Sequence, residues 1–129
     1  MYFSGVIFFA LALATVQACQ KCTHPGDFQG KLGWLRNTTA SYCGTSGTPS
    51  NSIYASVDVE FFDPPDESPC GAAINVTNPT TRKTIQAIVV DKCDDCLDDA
   101  ILLTLNGLRA LSPNGRVVRA PRNVSWTFA

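Results

Sequence analysis

Between Ile53 and Phe61 apolar and polar side chains alternate without a break. Ile53, Ala55, Val57, Val59 and Phe61 fall on one side of an extended chain, Tyr54, Ser56, Asp58 and Glu60 on the other. A period of two belongs to a strand with one face buried. The Asp-Pro-Pro-Asp of residues 63–66 ends it, since proline has no N–H to offer a ladder. Shorter strands are predicted over residues 31–36, carrying Leu32 and Trp34, over residues 72–77, and over residues 84–91. The last becomes apolar on both faces at Ile88-Val89-Val90, which suits a central strand, and Asn78-Pro79-Thr80-Thr81 reads as the turn before it.

Toward the carboxyl end the period lengthens. Residues 101–103 are a short apolar run, and Thr104 is placed to cap a helix bearing Leu105, Leu108 and Leu111, which Gly107 weakens. Ser112-Pro113-Asn114-Gly115 stops that helix, residues 116–119 are predicted as a strand, and Val124, Trp126 and Phe128 alternate in a final one. Several short strands and one small helix make a mostly β domain, barrel or sandwich. Residues 19–30 are polar, turn-rich and without period, so they read as an arm, with His24 as a solvent-exposed loop histidine.

The amino end changes the picture. An almost unbroken apolar run over residues 5–16, followed by Val16-Gln17-Ala18, reads as a signal peptide of residues 1–18. The run is shorter than the roughly 20 apolar residues that span a bilayer, so no membrane contact is expected once it is removed. That leaves an arm of residues 19–29 and a domain of residues 30–129. Lys+Arg 10 against Asp+Glu 11 gives no charge excess to hold nucleic acid. In an oxidising compartment the six cysteines, Cys19, Cys22, Cys43, Cys70, Cys93 and Cys96, are expected to pair. The sequons at Asn37, Asn75 and Asn123 become glycosylation candidates in a eukaryotic secretory pathway.

Candidate chemistry is densest where Asp91, Asp94, Asp95, Asp98 and Asp99 surround Cys93 and Cys96. With Cys19 and Cys22 the two thiol pairs have the spacing of a four-cysteine zinc site, but export favours disulfides. Redox use is disfavoured, because Asp94 and Asp95 between the thiols oppose a thiolate. Calcium would find oxygen ligands but no EF-hand register. The loop is therefore read as solvated, facing Arg109, Arg116, Arg119 and Arg122 in pairs that contribute about 0–1 kcal/mol each. No metal or cofactor is expected.

Three groups of residues carry a family resemblance across most of the domain. Tyr42-Cys43-Gly44 and Cys70-Gly71, the latter followed by Ile74-Asn75-Val76-Thr77-Asn78, make the first two. The third is Val89-Val90-Asp91-Lys92-Cys93-x-x-Cys96 with its apolar strand, threonine-capped helix and closing Val-x-Trp-x-Phe strand. The chain resembles the secreted double-psi β-barrel proteins: expansins, barwin-like proteins, rare lipoprotein A and the small fungal proteins similar to them. The resemblance implies a six-stranded barrel with one or two short helices, stapled by Cys43–Cys70, with Cys93–Cys96 and Cys19–Cys22 as the remaining pairs.

It also implies a groove in which acidic residues touch polysaccharide. One of these is Asp91. The second family carboxylate falls on Leu102, and the histidine of the lytic members has no counterpart at residues 54–57. Glycoside chemistry normally needs two carboxyl groups, and Asp98 or Asp99 would have to substitute. The expectation is a secreted, extracellular, monomeric binding protein without catalytic residues. Polysaccharide is the first-choice partner, held around Asp91 with Trp34 and Tyr54 as stacking candidates and Asp98 and Asp99 nearby. A secreted protein such as a cysteine protease is the alternative partner, and weak lytic activity through Asp91 is a third reading.

Overall fold

The computed structural model describes residues 24–63 and 68–129. The apolar leader, Cys19 and Cys22, and the prolines after Asp63 lie outside the described residues.

Six strands, β1 (Phe28–Trp34), β2 (Tyr54–Asp58), β3 (Ala73–Thr77), β4 (Thr84–Cys93), β5 (Ile101–Leu103) and β6 (Asn123–Phe128), close into a barrel in the order β1-β5-β2-β4-β3-β6. β1 with β5 and β2 with β4 run parallel, and the other four pairs are antiparallel. Inside lie Ala55, Val57, Ile74, Val76, Ala87, Val89, Ile101, Leu103, Val124 and Trp126. Burying a large aliphatic side chain such as Ile74 or Leu103 contributes roughly 1.5–3 kcal/mol.

Helix α1 (Leu105–Leu111) packs on β4 and β5 through Leu108 and Leu111. Thr104 stands at its amino end without capping it; its hydroxyl accepts the Tyr54 N–H at 3.1 Å and donates to Asn106. A Cβ on Gly107 would stand 2.7 Å from Ile53 Cγ2 and 3.2 Å from Leu103 Cβ. The residue that weakens the helix by propensity is thus the one that lets it approach the barrel. At the other end, Asn78 Nδ2 donates to the Leu111 carbonyl at 2.9 Å, satisfying a helix-end acceptor from the β3–β4 turn.

Several expectations are corrected. The alternating strand ends at Asp58, whose Oδ1 accepts the Glu60 N–H at 3.2 Å and turns the chain into a 3-10 helix, Val59–Phe62, that buries both Phe61 and Phe62. Its polar side is not solvated, since Ser56 is 1% and Asp58 8% exposed. β1 begins at Phe28 rather than residue 31, because Phe28 joins an aromatic cluster with Phe61, Trp126 and Phe128. Residues 116–119 hold a 3-10 helix, Val117–Arg119, instead of a strand; a closed barrel offers no edge for another strand, and Val118 is left exposed. His24 is not a free loop histidine. It is half-buried, its ring packs 5.0 Å from Phe61 and 5.6 Å from Phe128, and its Nε2 lies 2.9 Å from the Phe61 carbonyl.

Both disulfides among the described cysteines match the expected pairs, Cys43–Cys70 with Cα atoms 5.5 Å apart and Cys93–Cys96 with Cα atoms 5.4 Å apart.

Candidate ligand-binding site

The site begins with a bulge. β2 and β4 pair Tyr54 with Ile88 and Ala55 with Val89, but the next pair is Ser56 with Asp91. Val90 is the extra residue. Continued alternation from the core residues Ala87 and Val89 would turn Asp91 inward; the bulge sets it opposite Ser56, away from the Ala55 and Val57 side. Ser56 in turn faces Leu102 on β5, and Leu102 faces Gly33 on β1. Asp91, Ser56, Leu102 and Gly33 therefore form one row across four strands, about 14 Å long at about 4.8 Å per strand. A Cβ on Gly33 would meet Leu102 Cδ2 at 2.5 Å, so the leucine side chain lies over the glycine.

Asp91 is held firmly. The backbone N–H groups of Tyr42 and Lys92 each donate to its Oδ1 at 2.9 Å, and hydrogen bonds to a charged acceptor contribute about 1.5–3 kcal/mol. Tyr42 is brought there by the Cys43–Cys70 bridge and by two backbone bonds, Cys43 N–H to the Val90 carbonyl and Gly71 N–H to the Val89 carbonyl, both 2.8 Å. The Tyr42 ring is 57% exposed. It rests edge-on against Phe62 at 5.6 Å and carries the Lys92 ammonium 4.3 Å from its centroid. A fixed carboxylate, an exposed ring and an ammonium suit a hydroxyl-rich ligand.

Leu102 stands in the row where a second acid would complete the pair. Asp58 is a further carboxylate, two residues along β2 from Ser56 and opposite Cys93. It is buried and committed to capping the turn at Glu60.

The other sequence candidates do not converge on Asp91. The Tyr54 hydroxyl lies 2.6 Å from Thr48 Oγ1 and donates to the Pro49 carbonyl at 3.2 Å, holding the preceding loop. Trp34 ends β1 opposite Leu103, 46% exposed, with the Arg36 guanidinium 4.7 Å above its ring. Asp98, at φ 56°, lines a cleft of about 610 Å³ between β1 and the Cys93–Cys96 loop that meets the row at Leu102 and Gly33 but does not include Asp91. Leu102, Lys31, Asn123 and the highly exposed Leu97 also line it. The Asp99 backbone crosses β1 so closely at Gly30 that a Cβ there would run into its carbonyl group, and that carbonyl accepts the Trp126 Nε1–H at 2.8 Å. Among the described residues, no three or more His, Cys, Asp or Glu side chains gather as a metal site.

Tyr42 and Lys92 are the site residues that sequence reasoning passed over. Their signal was adjacency, Tyr42 to a bridged cysteine and Lys92 to Asp91, but nothing local shows that residue 42 docks on residue 91.

A closed six-stranded barrel with two parallel pairs, a bulged acidic strand and a bridge at Cys43–Cys70 defines the class: the chain folds as a double-psi β-barrel. No family model and no curated protein matches the sequence, whereas solved structures do match the fold. An expansin of Clavibacter michiganensis superposes with a TM-score of 0.64 at 21% identity, over 81% of this chain and 50% of its own. A variant of that expansin in complex with cellohexaose gives 0.65 at 21% identity, over the same shares. The chain thus spans about half the length of these expansins. The Streptomyces papain inhibitor gives a TM-score of 0.65 at 22% identity, over 83% of this chain and 97% of its own. Cerato-platanin 3 of M. perniciosa gives 0.53 at 15% identity, over 81% and 94%. At these identities the likeness establishes the fold.

Proposed function

We propose that the protein is a secreted, non-hydrolytic binder of cell-wall or other polysaccharide, which it holds across the barrel row beginning at Asp91. One observation carries the reading: Asp91 is fixed by two backbone donors beside the exposed Tyr42 ring, in a row whose other end is leucine and glycine. The Asp91 carboxylate can accept hydrogen bonds from sugar hydroxyls and the Tyr42 ring can stack against a sugar face, but the row, with Ser56 buried and Leu102 beyond it, lacks the acid and base partners of glycoside hydrolysis. The expansin likeness, with cellohexaose bound to one of the two structures, supports the polysaccharide choice.

The test is retention on insoluble glucan and chitin, compared with Asp91→Asn. Retention of the wild type and its loss in the variant is expected; no retention on any polysaccharide rejects the reading. Release of reducing or anhydro sugars should be equal for the two proteins, and a surplus from wild type would instead make Asp91 catalytic.

A second reading, recognition of a protein such as a cysteine protease, is favoured by the cleft with the exposed Leu97 in its lining and by the papain inhibitor matching over nearly its whole length. Titration of papain-like enzymes decides it: unchanged protease activity at excess protein eliminates inhibition.

A further inference from the structure

We infer that Asn37 is the point of N-linked glycan attachment and that the sequons at Asn75 and Asn123 stay bare. The inference shares with the proposed function only the premise of export. In oligosaccharyl transfer the asparagine Nδ2 attacks C1 of a lipid-linked sugar diphosphate. The new bond is C1–N, the bond from C1 to the phosphate oxygen breaks, the lipid diphosphate leaves and Nδ2 loses a proton. The transferase must therefore reach the asparagine and the hydroxyl residue together, on a tripeptide free to be drawn out of its surroundings.

Asn37-Thr38-Thr39 meets that need. It lies outside every strand, between β1 and Cys43, with Asn37 and Thr39 both exposed. The Thr39 N–H donates to Asn37 Oδ1 at 2.8 Å, so the tripeptide is already folded back on its asparagine with the carbonyl oxygen engaged and the nitrogen left for the sugar.

The other two sequons are built into the barrel. Asn75 sits in the middle of β3, between Gln86 of β4 and Thr127 of β6, and the Val76 beside it is fully buried. Asn123 is exposed like Asn37 but pairs with Lys31, while Ser125 two residues on is laddered to both Gln29 and Thr77. Presenting either tripeptide means peeling a strand from a closed barrel, an opening that approaches global unfolding. Barrel closure and disulfide formation share the oxidising compartment with the transferase, and a bare Asn75 and Asn123 require that closure come before transfer at both; folding then withdraws them while leaving Asn37 accessible. The glycan would then stand on the loop leading to Tyr42, and the cleft beside Asn123 would remain open.

The experiment expresses the full chain in a yeast secretory host and maps glycan removal by peptide N-glycosidase in heavy-oxygen water. A single labelled residue, Asn37, is expected. Asn37→Gln should abolish the enzyme-sensitive mass shift, and so should Thr39→Ala, which destroys the sequon but keeps the backbone N–H of the turn; Asn75→Gln and Asn123→Gln should leave the shift intact. Label on Asn75 or Asn123, or a chain without glycan wherever it is recovered, overturns the inference.

Discussion

Replacing Gly30 by alanine adds one carbon where the Asp99–Ala100 backbone crosses β1. The new Cβ would collide with the Asp99 carbonyl group and lie 2.6 Å from the Ala100 nitrogen. These are backbone atoms that no side-chain rotation can move aside. Two terms oppose each other. Alanine in place of glycine at an ordinary strand position stabilises by about 0.4–1 kcal/mol through the unfolded chain. Against it stand overpacking, about 1–3 kcal/mol, and the bond from Trp126 Nε1–H to the Asp99 carbonyl, whose loss leaves a buried donor unmet at about 1–3 kcal/mol. The net expectation is a loss of about 2–4 kcal/mol, which at about 4–8 °C per kcal/mol for a domain of this size lowers Tm by at least about 8 °C. Thermal unfolding followed by circular dichroism reads the shift. The mechanism also requires coupling: in a Trp126→Phe background, already without the indole donor, Gly30→Ala should cost about 1 kcal/mol less than in wild type. A Tm within about 3 °C of wild type, or strict additivity of the two changes, would refute the close crossing as a structural constraint.

The remaining expectations concern the site and its supports. Asp91→Ala should cost about 1–3 kcal/mol of stability by stranding the Tyr42 and Lys92 N–H groups, whereas Asp91→Asn keeps an acceptor and should cost under about 1 kcal/mol in denaturant titration while weakening polysaccharide retention roughly tenfold. Removing Cys43–Cys70, which spans 27 residues, should cost about 3.5 kcal/mol on loop-closure grounds. Removing Cys93–Cys96, which spans 3, should cost about 2 kcal/mol or less, an ordering that thermal unfolding of the paired alanine variants checks. Gly107→Ala gains about 1 kcal/mol of helix propensity but must displace Ile53 and Leu103, so a net loss of about 1 kcal/mol is expected. Ile53→Ala in the same chain should relieve part of that loss.

Much of this was legible from pattern alone where one force dominated. The alternation from Ile53 located β2, and the apolar Ile88-Val89-Val90 run located β4, because burial sets both. What pattern missed was decided by contacts distant in sequence. Val117 and Val118 have strand propensity, but a closed barrel leaves them no partner, and Val118 ends 84% exposed. His24 looked like loop because its aromatic neighbours, Phe61 and Phe128, are far along the chain. Placing Leu102 beside Asp91 needed two registers through Ser56, and the family resemblance supplied that alignment before the register did. Five aspartates close in sequence suggested one acidic site, yet Asp98 lines a cleft that meets the row only at Leu102 and Gly33 and does not include Asp91, and the crossing at Gly30 holds the Asp99 backbone in place.

The extra residue at Val90 makes the length of β4 matter more than the identity of its residues. Isoleucine or leucine at position 90 changes a side chain and leaves the count intact, so Asp91 keeps its outward place. Loss of that one residue would remove the bulge and set Asp91 directly after Val89, still opposite Ser56 on the outward side, but would take away the Val90 carbonyl that accepts the Cys43 N–H at 2.8 Å. The side on which Asp91 stands therefore survives either substitution or deletion at position 90, while the backbone bond that docks the Tyr42–Cys43 segment survives substitution alone.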